Sequence, residues 1–282
     1  TIKNLLIYST ESGKSEITLK GKDVDLYPRL QEMATENPLV IETKLLKSII
    51  TETAFAASLQ ESRPILTGVH MVLSDHKDFK AVATDSHRMS QRKLTLENTS
   101  NDFNVVVPSK SLREFAAVFT DDIETVEVFF SDSQMLFRSD YISFYTRLLE
   151  GNYPDTDRLL TNSFETEVTF NTNALRSAME RAHLISNATQ NGTVKLEITN
   201  NSVSAHVNSP EVGKVNEELD IIDQSGSDLT ISFNPTYLIE ALKALKSETV
   251  IIRFISPVRP FTLVPGDDAE NLIQLITPVR TN

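Results

Sequence analysis

Hydrophobic and polar residues follow the same pattern in two distant segments of the chain. Residues 105–119 read VVVPSKSLREFAAVF, and residues 231–245 read ISFNPTYLIEALKAL. Each begins with the apolar run of a strand, reaches a proline, and continues with the spacing of an amphipathic helix. Proline suits the first helical turn because the N–H that it lacks would have no partner there. Pro108 and Pro235 are 127 positions apart, and this interval predicts an internal repeat.

A second pair of strand-then-helix segments repeats at nearly the same interval. Residues 39–58 and 168–186 both pass from a strand pattern into an amphipathic helix, and their TETAF and MERAH stretches are offset by 128 positions. A Tyr-Pro pair follows a glycine in both copies, with Tyr27 and Tyr153 126 positions apart. The pattern predicts four helices, at 41–58, 109–119, 172–186 and 235–247.

Each copy of the repeat therefore reads as strand, helix, several strands, then strand, helix, several strands. This order predicts an α+β fold in which two helices pack on one face of antiparallel sheet in every copy. We expect complete domains at 38–162 and 163–282. Residues 1–37 look like the last hairpin of a preceding copy, which predicts at least three copies in the intact protein.

Composition excludes several kinds of site. The chain has no cysteine, so it has no disulfide, thiolate metal site or cysteine nucleophile, as fits the reducing cytoplasm. Its five histidines lack the HxxxH or HExxH spacing of zinc sites, and its eight glycines form no phosphate-binding loop. No run of about 18 apolar residues is present to span a membrane. We therefore predict no metal, cofactor or membrane partner.

The net charge of −12 by itself argues against nucleic acid as a partner, but the charge is unevenly distributed. The four predicted helices contain eight basic and five acidic residues, a net charge of +3, whereas the rest of the chain carries −15. Lysine and arginine favour solvated helix faces, which is an ordinary explanation of this excess. Alternatively, helices of successive repeats line one surface that faces the phosphates of a polyanion.

Residues 83–90, ATDSHRMS, place the three residue types of a hydrolytic triad side by side. A triad needs nucleophile, base and acid converging on one point, whereas in a strand Ser86 points away from Asp85 and His87. No GxSxG elbow surrounds Ser86. The plain alternative is a polar strand end in which Asp85 caps a turn.

Long motifs distributed along nearly the whole chain resemble one family, the bacterial DNA polymerase III beta subunit or sliding clamp. They are most like clamps of low-GC Gram-positive bacteria. The motifs occur in the family's order, two or more in each repeat. They are ESRPILTGV (61–69), VATDSHRMS (82–90), VVVPSKSL (105–112), RLLEGNYPDTDRLL (147–160), SFNPTYLIEALKAL (232–245) and QLITPVRT (274–281).

The resemblance implies a non-catalytic cytoplasmic processivity factor of DNA replication. Clamps of this family have three similar domains per subunit, and two subunits join head to tail in a ring that encircles duplex DNA. Helices line the hole, sheets form the outside, and DNA is held without sequence preference. The implied partners are the DNA polymerase III alpha subunit, the clamp loader and other clamp-binding replication and repair proteins. Residues 1–37 would then be the end of the first domain.

The resemblance also implies a hydrophobic pocket between the second and third domains that captures short peptides of these partners. In this reading the ATDSHRMS segment is one wall of the pocket rather than an active site. An apolar pocket accepts Leu and Phe anchors, and a few polar groups fix the peptide backbone. The implied pocket residues are Leu66, Thr84, Ser86, His87, Arg88, Met89, Pro154, Arg158, Leu159, Val258, Pro260, Ile276, Thr277, Pro278, Val279 and Arg280.

Two further sets of residues follow from the resemblance. Leu184 and Ile185 match positions at the joint between subunits. At the implied pocket, the tail TPVRTN departs from some relatives, which have Met in place of Val279 and Leu in place of Thr281.

The candidate DNA contacts are Gln60, Arg63 and Lys110, followed by Lys44, Lys47, Arg176 and Lys243. For the last four, a solvated helix face is an almost equally simple explanation.

Two alternatives from other functional classes stay open on the residues alone. One is an intracellular hydrolase that uses Ser86 and His87. The other is an acidic repeat scaffold that binds proteins and never DNA.

Overall fold

The computed structural model describes residues 4–8, 16–21, 33, 35–97, 101–161, 163–187, 192–200 and 202–280. The chain divides into two compact units, Thr1–Ala34 and Thr35–Asn282. In the first unit, strand β1 (Asn4–Tyr8) pairs antiparallel with β2 (Glu16–Lys20), as expected for a hairpin. Tyr27, an anchor of the predicted repeat, lies outside the described residues.

The second unit contains strands and helices in an order that repeats once. The first run consists of β3 (Leu39–Glu42), α1 (Thr43–Thr53), β4 (Gly68–Ser74), β5 (Asp78–Thr84), β6 (Arg88–Thr95), β7 (Phe103–Pro108), α2 (Ser109–Val118), β8 (Thr125–Phe130), β9 (Gln134–Arg138) and β10 (Ser143–Arg147). The second consists of β11 (Thr166–Asn171), α3 (Thr172–Ser186), β12 (Val194–Thr199), β13 (Ser202–Ser209), β14 (Gly213–Leu219), β15 (Ile221–Gly226), β16 (Leu229–Phe233), α4 (Pro235–Ala244), β17 (Thr249–Phe254), β18 (Phe261–Pro265) and β19 (Leu272–Ile276).

Strand pairing reproduces the repeat. The four-strand order β10-β9-β8-β3 of the first run recurs as β19-β18-β17-β11 in the second, and β6-β5-β4-β7 recurs as β14-β13-β12-β16. All described pairs are antiparallel. The prediction of a repeated α+β fold is therefore confirmed. The added strand β15 extends the second run beside β11.

Helix α3 has the predicted bounds, whereas α1, α2 and α4 end earlier than predicted. Helix α1 begins at Thr43 rather than residue 41 because Ile41 and Glu42 still pair with β8. Helices α3 and α4 have the asparagine N-caps that favour helix starts: the Asn171 side-chain oxygen accepts from the Ala174 N–H, and that of Asn234 from the Thr236 N–H, both at 2.9 Å. Pro235 occupies the first helical turn, as the sequence indicates.

Each run buries its own hydrophobic core, and the helices supply one side of it. The first core is centred on Phe115, whose ring lies 4.4 Å from both Phe119 and Phe137. The second contains Phe233, Phe254 and other residues of α3, α4 and the sheets that they cover. Phe55, just after α1, packs against both cores and so lies where they meet.

The four helices form one continuous layer. Helix α2 contacts α1, α1 contacts α4, and α4 contacts α3. Two polar contacts support this arrangement. Just after α4, the Lys246 amino group donates to the Ser48 hydroxyl of α1 at 3.0 Å, and Lys243 of α4 pairs with Glu180 of α3 at 3.1 Å. No helix among the described residues is long and apolar enough to cross a membrane.

Strands β6 and β19 pair and so join β4–β7 of the first run to β11, β15 and β17–β19 of the second in one nine-stranded sheet, while each run keeps a separate four-stranded sheet. The register of β6 and β19 pairs Arg88 with Ile276 and Arg92 with Leu272. Arg92 also bonds Asp268 of the second run and lies 3.5 Å from the Glu52 carboxylate of α1. Because Glu52 is almost fully buried, Arg92 supplies the compensating charge where the runs meet.

Replacing Arg92 with Met should therefore lower the free energy of unfolding by about 3 kcal/mol, because the buried Glu52 carboxylate would lose its cation. Adding Glu52→Gln should recover at least half of that loss, as expected for two groups that interact directly. Chemical denaturation of the single and double variants measures both effects. Lys195→Met, which removes an exposed ion pair with Glu197, is the control and should cost much less. Equal costs for Arg92→Met and Lys195→Met would contradict this role.

Candidate functional site

The ATDSHRMS segment forms a tight turn between β5 and β6, not a continuous strand. The Asp85 carboxylate accepts from the backbone N–H groups of His87 (2.8 Å) and Arg88 (3.0 Å) and so caps the turn. Ser86 has a φ of +81°, a region that non-glycine residues rarely occupy. The alternative of Asp85 as a turn cap is therefore confirmed, whereas the assumption of a strand at Ser86 was wrong.

The three side chains of the suspected triad have different partners. Besides capping the turn, the Asp85 carboxylate accepts from Nε of Arg88 at 3.0 Å. The Ser86 hydroxyl accepts from Nη1 of Arg63 at 2.9 Å. The His87 ring is nearly parallel to that of Tyr237, with centroids 6.4 Å apart. Since none of these contacts joins serine to histidine or histidine to the carboxylate, the arrangement serves a turn and not a nucleophile.

Arg88 attaches the turn to the second run. Its guanidinium bonds Glu240 of α4, donates to the Phe55 carbonyl at 2.9 Å, and lies over the Phe55 and Tyr237 rings at 5.4 and 4.9 Å. With Asp85 on one side and Glu240 on the other, the charge of Arg88 is compensated. Arg88 therefore fixes the turn in place rather than offering a free cation.

The C-terminal segment lies against the same turn. The backbone N–H and the hydroxyl of Thr277 both donate to the His87 carbonyl, at 2.9 and 2.7 Å. The pairing of Phe261 with Ile276 places Pro260 beside Thr277, and the Val279 N–H donates to the Ser232 carbonyl at 2.7 Å. The backbone thus brings three predicted pocket segments, around 87, 260 and 278, to one place.

The linker between the two runs lies against the other side of the β5–β6 turn from the helices. Tyr153 and Leu160 pack on a small apolar cluster of Val82, Met89 and Leu275. The Tyr153 hydroxyl accepts from the N–H of Thr84 at 3.0 Å. Burial raises the pKa of this hydroxyl above its ordinary value, so it remains protonated. Pro154, Arg158 and Leu159 lie on this linker, with Arg158 exposed and paired to Asp155 at 2.7 Å.

The predicted pocket residues separate into a buried and an exposed group. Leu66, Thr84, Met89 and Ile276 are buried, so their side chains offer almost no surface to a partner. Leu159, Val258 and Val279 are 52, 59 and 37% exposed on the linker, the β17–β18 turn and the C-terminal segment, respectively. Apolar side chains from three separate segments are thus open to a partner, with Arg280 exposed at the C-terminal side.

Tyr237 is part of this site, although it is not among the pocket residues predicted from the sequence. It lies in the first turns of α4 and contacts both His87 and Arg88. Burial, reinforced by the Asp85 carboxylate, raises its pKa. The only sequence signal was its place inside the SFNPTYLIEALKAL motif, because its partners lie some 150 residues away.

The candidate DNA contacts lie along the helix layer and its adjoining loop. Lys44 and Lys110 are exposed on α1 and α2, and Lys47 pairs with the exposed Asp121 at 2.6 Å. This pair, in which Lys47 donates the hydrogen bond, lowers the pKa of the Asp121 carboxyl. Gln60 is exposed in the loop after α1.

The other candidate DNA contacts are less available to bind phosphate, because their side chains have protein partners or are partly buried. Lys243 pairs with Glu180, and Arg176 is half-buried with its Nε lacking a hydrogen bond among the described residues. The Arg63 guanidinium donates to the Ser86 hydroxyl, so this side chain is directed toward the β5–β6 turn.

The two residues predicted at a subunit joint differ in exposure. Leu184 is 73% exposed on α3, while Ile185 packs partly against the second core. The described residues contain no cluster of three or more His, Asp or Glu side chains that could hold a metal ion.

Comparison with known proteins gives a consistent result. Residues 40–155 match the family model for the central domain of the DNA polymerase III beta subunit, and residues 157–280 match that for its C-terminal domain. The beta sliding clamp of Streptococcus pneumoniae serotype 4 is 72% identical over 271 residues, 96% of this chain and 72% of the relative. That of Lactococcus lactis is 55% identical over 273 residues, again 96% of this chain and 72% of the relative.

Solved structures agree with these sequence matches. The beta subunit of DNA polymerase from Streptococcus pyogenes superimposes with a TM-score of 0.93 at 81% identity, covering 99% of this chain and 74% of that one. The sliding clamp of Bacillus subtilis gives a TM-score of 0.92 at 39% identity, covering 99% and 73%.

The backbone of the turn makes a prediction about position 86. Ser86→Val should lower the free energy of unfolding by about 1–2 kcal/mol, because a β-branched side chain is strained at positive φ. Ser86→Gly should keep the wild-type stability within about 0.5 kcal/mol, since glycine adopts this conformation freely. Urea denaturation of the two variants tests this. A valine variant as stable as the glycine variant would show that position 86 does not need positive φ.

Proposed function

The chain belongs to the family of DNA polymerase III beta subunits, the beta sliding clamps, and we propose that it captures partner peptides beside the Asp85–His87 turn. It is a DNA sliding clamp, a non-catalytic processivity factor of DNA replication. The resemblance noted from the sequence is thereby confirmed, and the hydrolase and scaffold alternatives are set aside.

The observation that supports the docking proposal is the meeting of three segments at one turn. Hydrogen bonds tie the turn to the C-terminal segment through Thr277 and to the linker through Tyr153. Around these fixed contacts, Leu159, Val258 and Val279 expose apolar surface. A short peptide with Leu and Phe anchors needs this combination of apolar surface and a few oriented polar groups. We propose the polymerase III alpha subunit, the clamp loader and other clamp-binding replication and repair proteins as its sources.

The docking proposal predicts micromolar or tighter binding of a polymerase-derived peptide that contains Leu and Phe, measured by titration calorimetry. Leu159→Asp and Val279→Asp should each weaken binding at least tenfold, because a charge would replace exposed apolar contact surface. His87→Glu tests the turn itself. Met89→Asp is unsuitable because Met89 is buried and its loss would disturb the fold.

Val212→Asp is the matched control, since Val212 is similarly exposed but lies in the β13–β14 turn. It should leave the affinity unchanged. Absence of heat with the wild-type chain, or equal affinities for the Leu159, Val279 and Val212 variants, would contradict the assignment of the pocket.

We also propose that the helix layer faces duplex DNA inside a ring made by two subunits joined near Leu184 and Ile185. The support is the continuous contact of α2, α1, α4 and α3 and the net positive charge of the helices in an acidic chain. Such a surface contacts phosphates without reading sequence.

This part of the proposal predicts weak, salt-sensitive binding of a random-sequence duplex, measured by fluorescence anisotropy. The double variant Lys44→Gln/Lys110→Gln should weaken binding and flatten its dependence on salt, since two phosphate contacts would be lost. Lys77→Gln/Lys214→Gln removes the same charge from the β4–β5 turn and the start of β14 and is the control. Equal losses in both double variants would indicate a general effect of net charge and no specific role for the helix layer.

A further inference from the structure

Tyr153 connects the two sides of the proposed pocket. It precedes Pro154 on the linker, and its ring packs on the cluster of Val82, Met89 and Leu275 beneath the turn. One face of the ring stacks on His70 of β4, with centroids 4.9 Å apart. The ring is therefore held on several sides, which fixes the direction of its hydroxyl.

The hydroxyl satisfies a backbone group that the sheet leaves without a partner. The ladder between β4 and β5 ends at the pair His70–Val82, two residues before Thr84. Thr84 is buried, and its N–H donates to the Tyr153 hydroxyl at 3.0 Å. Without this acceptor a buried N–H would be left unpaired, which is unfavourable.

Thr84 also makes hydrogen bonds inside the β5–β6 turn. Its hydroxyl donates to the Arg88 carbonyl at 2.6 Å and accepts from the Ser86 N–H at 3.1 Å. A displacement of Thr84 would therefore move the backbone from residue 84 to 88, which carries His87. A second link between β5 and the linker, Lys80 to Asp157 at 2.8 Å, is more exposed to solvent and hence weaker.

We propose that Tyr153 is a positioning residue of the docking pocket: its hydroxyl fixes the turn relative to the linker before a peptide arrives. This inference rests on the proposed docking function. A pocket whose two sides are already fixed loses less conformational freedom when the peptide binds, and affinity rises accordingly. Tyr153 itself needs no contact with the peptide.

The test compares Tyr153→Phe with the wild-type chain. Phenylalanine keeps the ring and its packing but removes the acceptor for Thr84. We expect the Kd for the same polymerase-derived peptide to rise about three- to tenfold, the effect of one lost buried hydrogen bond. Hydrogen exchange of the segment that contains Thr84 should accelerate in the free variant and return toward the wild-type rate when peptide is bound.

Tyr141→Phe is the matched control because Tyr141 is 95% exposed, and it should change neither quantity. If the wild-type chain binds no peptide, the docking function fails and this role fails with it. If the wild type binds and Tyr153→Phe binds equally well, the positioning role alone is overturned. In that case, faster exchange at Thr84 would assign the hydroxyl to stability without a part in docking.

Discussion

The pairing of β6 with β19 is the constraint on which the proposed pocket depends. It runs from Arg88–Ile276 to Arg92–Leu272 and joins one sheet of each repeat into a single nine-stranded sheet. Because neighbouring residues of a strand point to opposite faces, Arg88 and Arg92 reach the helix side, where they meet Glu240 and Glu52. Met89 points to the other face and packs under the linker. A single register therefore determines both the anchoring of the turn and the floor of the pocket.

The same pairing explains how the proposed docking and the proposed DNA contact can use separate surfaces of one chain. The helices that carry the net positive charge form a continuous layer on one side of the sheet. The linker with Tyr153 and Leu160 lies on the other side. Arg88 connects the turn to the helix side, since it bonds Glu240 of α4 and the Phe55 carbonyl just after α1. The proposed function needs this division, because partners would be held on one surface while the proposed DNA-facing surface makes few fixed contacts.

Local pattern was sufficient to predict the repeat, the four helices and the α+β class. The apolar strands, the prolines near helix starts and the spacing of the amphipathic helices are all properties of neighbouring residues. The merging of two sheets through β6 and β19 was not predictable in this way, because nothing local pairs residues 88–92 with 272–276. For the same reason, the polar ATDSHRMS segment gave no sign of its partners. Arg63, Tyr153 and Tyr237 come from distant parts of the chain.

The proposed docking residues came from the family resemblance, and the fold adds the distinction between those that are buried and those that are exposed. Leu66, Met89 and Ile276 are core residues, and their types are explained by packing alone. Leu159, Val258 and Val279 are exposed apolar residues, which packing does not explain. Function is therefore best sought in the exposed group and in the polar contacts that hold it.

The central claim is that one pocket is formed jointly by the turn, the linker and the C-terminal segment. Hydrogen-exchange mass spectrometry of the chain with and without a saturating polymerase-derived peptide tests it most directly. The account predicts new protection in the segments around 84–88, 153–160 and 275–280, with none in α3 or the β13–β14 turn. Protection confined to one of the three segments, or concentrated elsewhere, would contradict it.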